Sequence, residues 1–263
     1  MDNRVFVKKS DILDGLRKIG LHEGDNVMVH ASLSSMGFVC GGAQVVIESL
    51  IETVGDSGTI MMPTQSWKNM DPESGVYWEE PKEWWQDIRD NLPAYDKDIT
   101  PTNTMGAVAE MFRKWRGTLR SDHPVRSVAA RGPLAEYFVK DHDLADIFGE
   151  TSPIAKLYEH DGKVLLIGVD HDKNTSLHLA DERAEYPGKT TETVHCAMMV
   201  NGKREWISYE TLAVDGEDFV EIGKAFEEKN TVKKINIGNA EVRLMSQREV
   251  VDFAVSWIEA NRK

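Results

Sequence analysis

Cysteine is scarce: 263 residues carry two, Cys40 and Cys196. Two thiols close one bridge at most, so no disulfide framework builds this fold, and free thiols of the cytosolic kind are expected. Long hydrophobic runs are absent as well. The longest apolar stretches are about 5 to 8 residues, against the roughly 20 that a membrane helix needs. Residues 1–9 are polar and basic without an apolar core, which excludes a secretory signal and makes the cytoplasm the expected location. Positive charge falls short of negative, 31 Lys and Arg against 44 Asp and Glu, for a net charge of −13. That balance argues against nucleic acid or an anionic membrane as partner. It favours cationic small molecules through long-range steering, although the same excess also serves solubility. Internal repeats and low-complexity linkers are missing too.

What is present is ordinary soluble material, 41% hydrophobic and 29% charged, enough for a single domain over 1–263. Ser10 to Leu21 has the apolar stripe of a helix, Asn26 to His30 reads as a strand, and a Ser/Gly loop leads to a helix from about Gln44 to Val54. A strand from Thr59 to Met62 completes a β-loop-α-β unit, which implies parallel pairing. Helices are expected at Thr102 to Arg113, Gly132 to Lys140 and Ser152 to Tyr158, and Lys163 to Val169 reads as a buried parallel strand. Asn201-Gly202 between Val194–Val200 and Glu205–Tyr209 signals a hairpin. A helix near Gly216 to Asn230, a strand pair around Val232 to Leu244 and a helix capped by Ser246 and Glu249 end the chain. The fold class is therefore α/β: a central, mostly parallel sheet flanked by helices, with a late β-rich subdomain near 190–245.

Four segments carry candidate chemistry. In Asn174 to Glu182, a helix would place His178, Asp181 and Glu182 at i, i+3 and i+4 on one face beyond a strand's carboxyl end. Histidine beside carboxylates suits a general base; a surface helix with solvated charge pairs has the same spacing. Ala31 to Gly42 holds three serines and three glycines between strand and helix, a loop able to aim backbone N–H groups at an anion. It has neither a Gly-Lys-Ser/Thr end nor the Rossmann glycine spacing, and a plain connector would look alike. Thr100 to Thr104 and His123 to Ser127 are further polar clusters, for which capping and turn formation are the structural alternatives. Residues 64–98 are irregular, with four tryptophans and many acids, as in an ordered functional loop. A metal reading of Asp170, His171, Asp172 and His178 fails on ligand spacing and lacks a cysteine to complete it, so no metal is expected.

Five blocks occur in order: HASLSSMGFVCGG (30–42), GTIMMPT (58–64), SDHPVRS (121–127), GETSPIAKL (149–157) and VLLIGVDHDKNTSLHLADE (164–182). Together they resemble the aminoglycoside 3-N-acetyltransferase family over roughly residues 8 to 258. The resemblance implies a fold distinct from the commoner N-acetyltransferases and transfer of acetyl from acetyl-coenzyme A to an amine of an aminoglycoside. It implies a coenzyme A cradle at His30, Ser32, Ser34, Ser35, Met36 and Gly37, with Thr102 and Met105 further along the cofactor, and His123 and Ser127 lining the cleft. His178 would take the proton of the attacking amine. The family usually has Glu where Asp181 stands, and Glu182 follows directly, so two carboxylates remain candidates to hold its ring. Asp71, Glu79 and Glu80 are candidates to grip the ammonium groups of a polycationic amino sugar. An acyltransferase of the same fold acting on another amine, or a coenzyme A-binding protein without turnover, would share most of these features. A homodimer is compatible with all three.

Overall fold

The computed structural model describes residues 5–74, 78–230 and 232–263. The chain enters through β1 (Phe6–Val7) and α1 (Lys9–Ile19), then β2 (Asn26–Ala31), β3 (Phe38–Val39), α2 (Gly42–Val54) and β4 (Thr59–Pro63). Short 3-10 turns and α3 (Trp85–Asn91) fill the irregular stretch before α4 (Gly106–Arg113). Next come β5 (Leu119–Arg120), β6 (Val128–Arg131), α5 (Ala135–Val139), α6 (Pro153–Glu159), β7 (Lys163–Ile167) and α7 (Leu177–Arg183). The last part holds β8 (Thr191–Val200), β9 (Lys203–Leu212), α8 (Phe219–Lys229), β10 (Lys233–Ile237), β11 (Ala240–Ser246) and α9 (Gln247–Asn261).

Seven strands form the central sheet in the order β10-β11-β7-β2-β4-β6-β5. The sheet is mixed: β7, β2 and β4 run parallel at its centre, while both flanks pair antiparallel. The expectation of a mostly parallel sheet thus holds for the middle only. Alternation in the central strands divides the apolar side chains. Val27, Val29, Leu165 and Ile167 join one core cluster, and Met28, Val164 and Leu166 the other. Burial on both faces explains why β7 reads as an unbroken apolar run, each side chain contributing about 1.5–3 kcal/mol.

The late β-rich region is present but divided. β8 and β9 stand apart as a two-stranded ribbon, whereas β10 and β11 complete the edge of the main sheet. Asn201 and Gly202, with φ of 50° and 78°, supply the two positive angles of the hairpin turn. The ribbon does not hang free. Met70, Val125, Val194 and Cys196 form a small third core that ties it to the irregular segment after β4. Among the described residues no helix is long and apolar enough to cross a membrane.

Candidate active site

Beyond the carboxyl ends of β2 and β7 lies a cavity of about 1370 Å³, lined by His30, Met105, Arg126, His178 and Phe219 and walled by the β8–β9 ribbon. A smaller cavity of about 440 Å³ adjoins it, the two sharing Ala31, Ser32 and Gly106. Ser34, Gly37, Phe38 and Gly42 line the smaller one, so the amino ends of α2 and α4 both open onto it. Gly42 has φ +59° with nothing within 4 Å of where a Cβ would point. Unpaired N–H groups of two helix starts beside serine hydroxyls make a site suited to phosphate oxygens. The smaller cavity thus fits the anionic end of a nucleotide cofactor.

His178 enters the larger cavity from the first turn of α7. Its ring stacks on Phe148 at 4.4 Å and 8° and meets Phe219 edge-on at 4.8 Å. Nδ1 is enclosed and makes no hydrogen bond. Burial, with the nearby charges of Arg126 and Arg262, pushes its pKa down to about 3, so the ring is neutral at pH 7. Burial likewise holds His30 near about 3. Arg126 lies over Trp67 at 3.8 Å and near Phe148 at 5.7 Å, joining the cavity wall to the aromatic floor under His178.

Neither carboxylate of α7 reaches the imidazole, contrary to the shared-face reading. Asp181 is fully buried and faces away, toward the end of α9. Its carboxylate accepts from Arg262 Nη1 and, at 2.7 Å, from the Tyr186 hydroxyl, while the Asp215 amide donates to it at 3.2 Å. Arg262 also forks onto Asp218 at 2.8 Å. The net effect is to fix the turn at Asp215 and Gly216, and Gly216 lines the cavity beside His178. Glu182 is half-buried with Oε1 unpaired; burial raises its pKa to about 7, with Asp146 adding to the effect.

The other sequence candidates separate by contact. Ser32, Ser34 and Gly37 line the cradle. Ser35 turns inward and donates to the carbonyls of Gly168 (2.8 Å) and Ser32 (3.1 Å). Met36 is wholly buried in the core, so the cradle can use only its backbone. His30 belongs to the larger cavity and stands outside the serine cradle. Met105 lines the larger cavity, but Thr102 is not in α4 and reaches neither cavity. Its amide and hydroxyl both donate to Glu110 at 2.9 Å, which also holds Arg113.

His123 and Ser127 are not cleft residues. His123 Nδ1 accepts the amides of Val125 (3.2 Å) and Arg126 (2.9 Å), and the ring packs on His142 at 4.7 Å. Ser127 donates to the Thr64 carbonyl at 2.8 Å and accepts from Arg120 at 3.0 Å. Both are fully buried and fix the turn that presents Arg126. Of the acidic candidates only Asp71 lines the cavity, and Arg89 holds it through two bonds of 2.8 Å. Glu79 and Glu80 lie outside it, Glu80 pairing with Lys68 at 3.3 Å. Sequence reasoning missed Arg126, Phe219, Arg89 and Glu192. Arg126 stood inside a quoted block; the others carried no local signal.

Among the described residues no three His, Cys, Asp or Glu side chains stand together to hold a metal ion. Cys40 and Cys196 are both free, and burial raises the Cys196 thiol to about 12, which keeps it protonated.

The profile of the aminoglycoside 3-N-acetyltransferase family matches residues 28–259. A Bacillus subtilis (strain 168) relative, the prophage-derived aminoglycoside N(3')-acetyltransferase-like protein YokD, is 41% identical over 96% of this chain and 93% of its own. Its crystal structure superposes with a TM-score of 0.95 at 40% identity, covering 99% of this chain and 97% of that one. Aminoglycoside N(3)-acetyltransferase IX of Micromonospora chalcea is 33% identical over 98% of this chain and 95% of its own. A structure of AAC-IIIb in binary complex with coenzyme A matches at TM-score 0.87 and 30% identity, over 98% of each chain.

Proposed function

The chain belongs to the aminoglycoside 3-N-acetyltransferase family, and on that premise we propose that it moves an acetyl group from acetyl-coenzyme A directly onto an amine of an amino sugar, namely the 3-amino group of an aminoglycoside's deoxystreptamine ring. In the cytoplasm, such a reaction would confer resistance to the antibiotic. The observation that carries the proposal is the His178 imidazole, neutral, stacked on Phe148 and without a partner at Nδ1, lining a large cavity that opens into an anion cradle.

The cradle residues Ser32, Ser34, Gly37 and the amino ends of α2 and α4 would hold the cofactor's phosphates, with His30 and Met105 along its path into the larger cavity. Bound acetyl-coenzyme A supplies a thioester carbonyl. An ammonium ion has no lone pair and cannot attack it, so a base has to remove one proton. His178 is unprotonated at neutral pH and free to accept that proton; as the new N–C bond forms the C–S bond would break, and the second proton shed by the nitrogen would leave on the released thiol. The low pKa of the ring weakens it as a base; transfer from a cationic amine leaves the number of charges unchanged and softens that penalty. Asp181 acts as a positioning residue, holding Arg262 and the Gly216 turn beside the ring. Attack is direct, because the buried Cys196 thiol stays protonated and the exposed Cys40 lines neither cavity.

Thiol release from acetyl-coenzyme A, measured against several aminoglycosides and simple amines, tests the proposal. Turnover with an aminoglycoside supports it. Turnover with simple amines alone moves the substrate to another amine class and keeps the acetyl transfer, and no turnover with any amine rejects it. The ion pair between Asp71 and Arg89 favours giving that second substrate class a full trial, since it neutralises an acid in the cavity.

A further inference from the structure

The cavity meant for a polycation is nearly balanced in charge. Among the described residues four carboxylates line it, those of Asp71, Glu73, Asp172 and Glu192, against three cations, those of Arg89, Arg126 and Lys173. Three of the four acids are already paired. Arg89 forks onto Asp71 at 2.8 Å and reaches Glu73 at 3.0 Å, and Lys173 holds Asp172 at 2.9 Å. The carboxylate of Glu192, on β8 of the ribbon, makes no hydrogen bond or ion pair with any described residue, its place being fixed by the backbone ladder to β9.

We infer that Arg89 is a resident counter-cation that determines substrate specificity: its guanidinium occupies the place at Asp71 and Glu73 where a substrate ammonium would otherwise sit, leaving Glu192 as the carboxylate that receives one. This deepens the proposed amine acetylation and rests on it. Asp71 is nearly buried and two-pronged pairing by a guanidinium is among the stronger ion-pair geometries, so the acid is not available by chance motion alone. Burial pushes the Asp71 carboxyl up, but the bonds from Arg89 outweigh it and keep the acid ionised. The guanidinium comes from a fixed backbone. Arg204 on β9 donates to the carbonyls of Arg89 and Leu92, which pins α3 against the ribbon. A substrate with one or two ammonium groups satisfies Glu192 at no cost to this pair. A more highly charged amine either leaves its extra cations facing Arg89 or has to displace it.

Calorimetry on the coenzyme A-loaded full chain, with spermine and glucosamine as probes at low and physiological salt, tests this without relying on turnover. Arg89→Gln should bind spermine about three- to tenfold more tightly than the wild type, with the gain shrinking as salt rises, and should bind glucosamine unchanged. The triple variant Arg89→Gln, Asp71→Asn, Glu73→Gln should lose that gain. Arg89→Lys, which keeps the charge but not the fork, should fall between wild type and Arg89→Gln, and it serves if Arg89→Gln does not fold. Spermine affinity unchanged or reduced in the folded variant overturns the inference. A wild type that acetylates no amine fails the functional proposal and leaves this binding result to be judged on its own.

Discussion

The turn carrying His123 and the helix carrying His178 treat the same side chain in opposite ways. At His123, Nδ1 takes two backbone amides, the ring packs on His142 and Tyr209, and the residue lines neither of the two cavities described above. At His178, Nδ1 has no partner, the ring lies on Phe148, and a cavity of about 1370 Å³ opens in front of it. Both rings are neutral because burial disfavours their charged forms. Neutrality is therefore not what marks a functional histidine here. The difference lies in what Nδ1 is bonded to and what the ring faces: at His123 it accepts two backbone amides, and at His178 it accepts none and the ring lines a cavity that a substrate amine can enter.

Deleting each ring should split activity from stability. His178→Ala should lower turnover by about 10² to 10⁴, the usual share of a general base, with coenzyme A affinity kept. His123→Ala should cost about 2–4 kcal/mol in urea unfolding, since it leaves a cavity and two buried amides without an acceptor, while the folded fraction keeps its turnover. Turnover lost in both variants at equal folded fraction would erase the distinction.

A similar contrast separates the two carboxylates of α7. Asp181→Asn should be destabilising, by about 1–3 kcal/mol, because the buried carboxylate that accepts from Arg262, Tyr186 and the Asp215 amide is lost while Asp218 still holds Arg262. Glu182→Gln should do the reverse above neutral pH. Its folded pKa of about 7 lies above the ordinary value of 4.5, so ionisation costs stability as pH rises through that window. Removing the charge should stabilise the protein at pH 8 by about 1 kcal/mol or less, allowing for solvent screening of a half-buried group. Equal effects of the two variants would mean that the difference in their surroundings carries no energy.

The buried histidines also set the acid limit. His30 and His142 fall from 6.5 to about 3 and about 4 on folding, so the unfolded chain binds more protons between those values. Their contribution to stability is full above about pH 6.5 and should decline as pH falls toward 4, by about 1–2 kcal/mol for each of the two at pH 5. His142→Gln should flatten part of that slope in melts recorded from pH 4 to 8. An unchanged slope would place the acid sensitivity in the carboxylates.

Much of the fold was legible where pattern and burial agree. The apolar run at 163–169, the β-loop-α-β unit and the Asn201-Gly202 turn all stand where periodicity puts them. The antiparallel flanks were not legible, because strand direction depends on which edge a late hairpin such as β10–β11 joins. In the site, the sequence named His178, Ser32, Ser34 and Gly37, which line the two cavities, together with Ser35 and Met36, which turn inward. The partner of His178 was not legible: helical spacing puts Asp181 near the histidine's face, but Arg262, 81 positions away in sequence, claims the carboxylate. Arg89 was equally hidden, since only the folded irregular segment brings it to Asp71.

Chemical rescue tests the central claim, that the imidazole of His178 accepts the proton of the attacking amine. Thiol release by His178→Ala at saturating acetyl-coenzyme A and amine should be low, and should rise with added imidazole as the free base fills the space beside Phe148. The same additive should not raise the rate of the wild type. A variant that turns over at near the wild-type rate without imidazole would contradict the account and place the base elsewhere in the cavity.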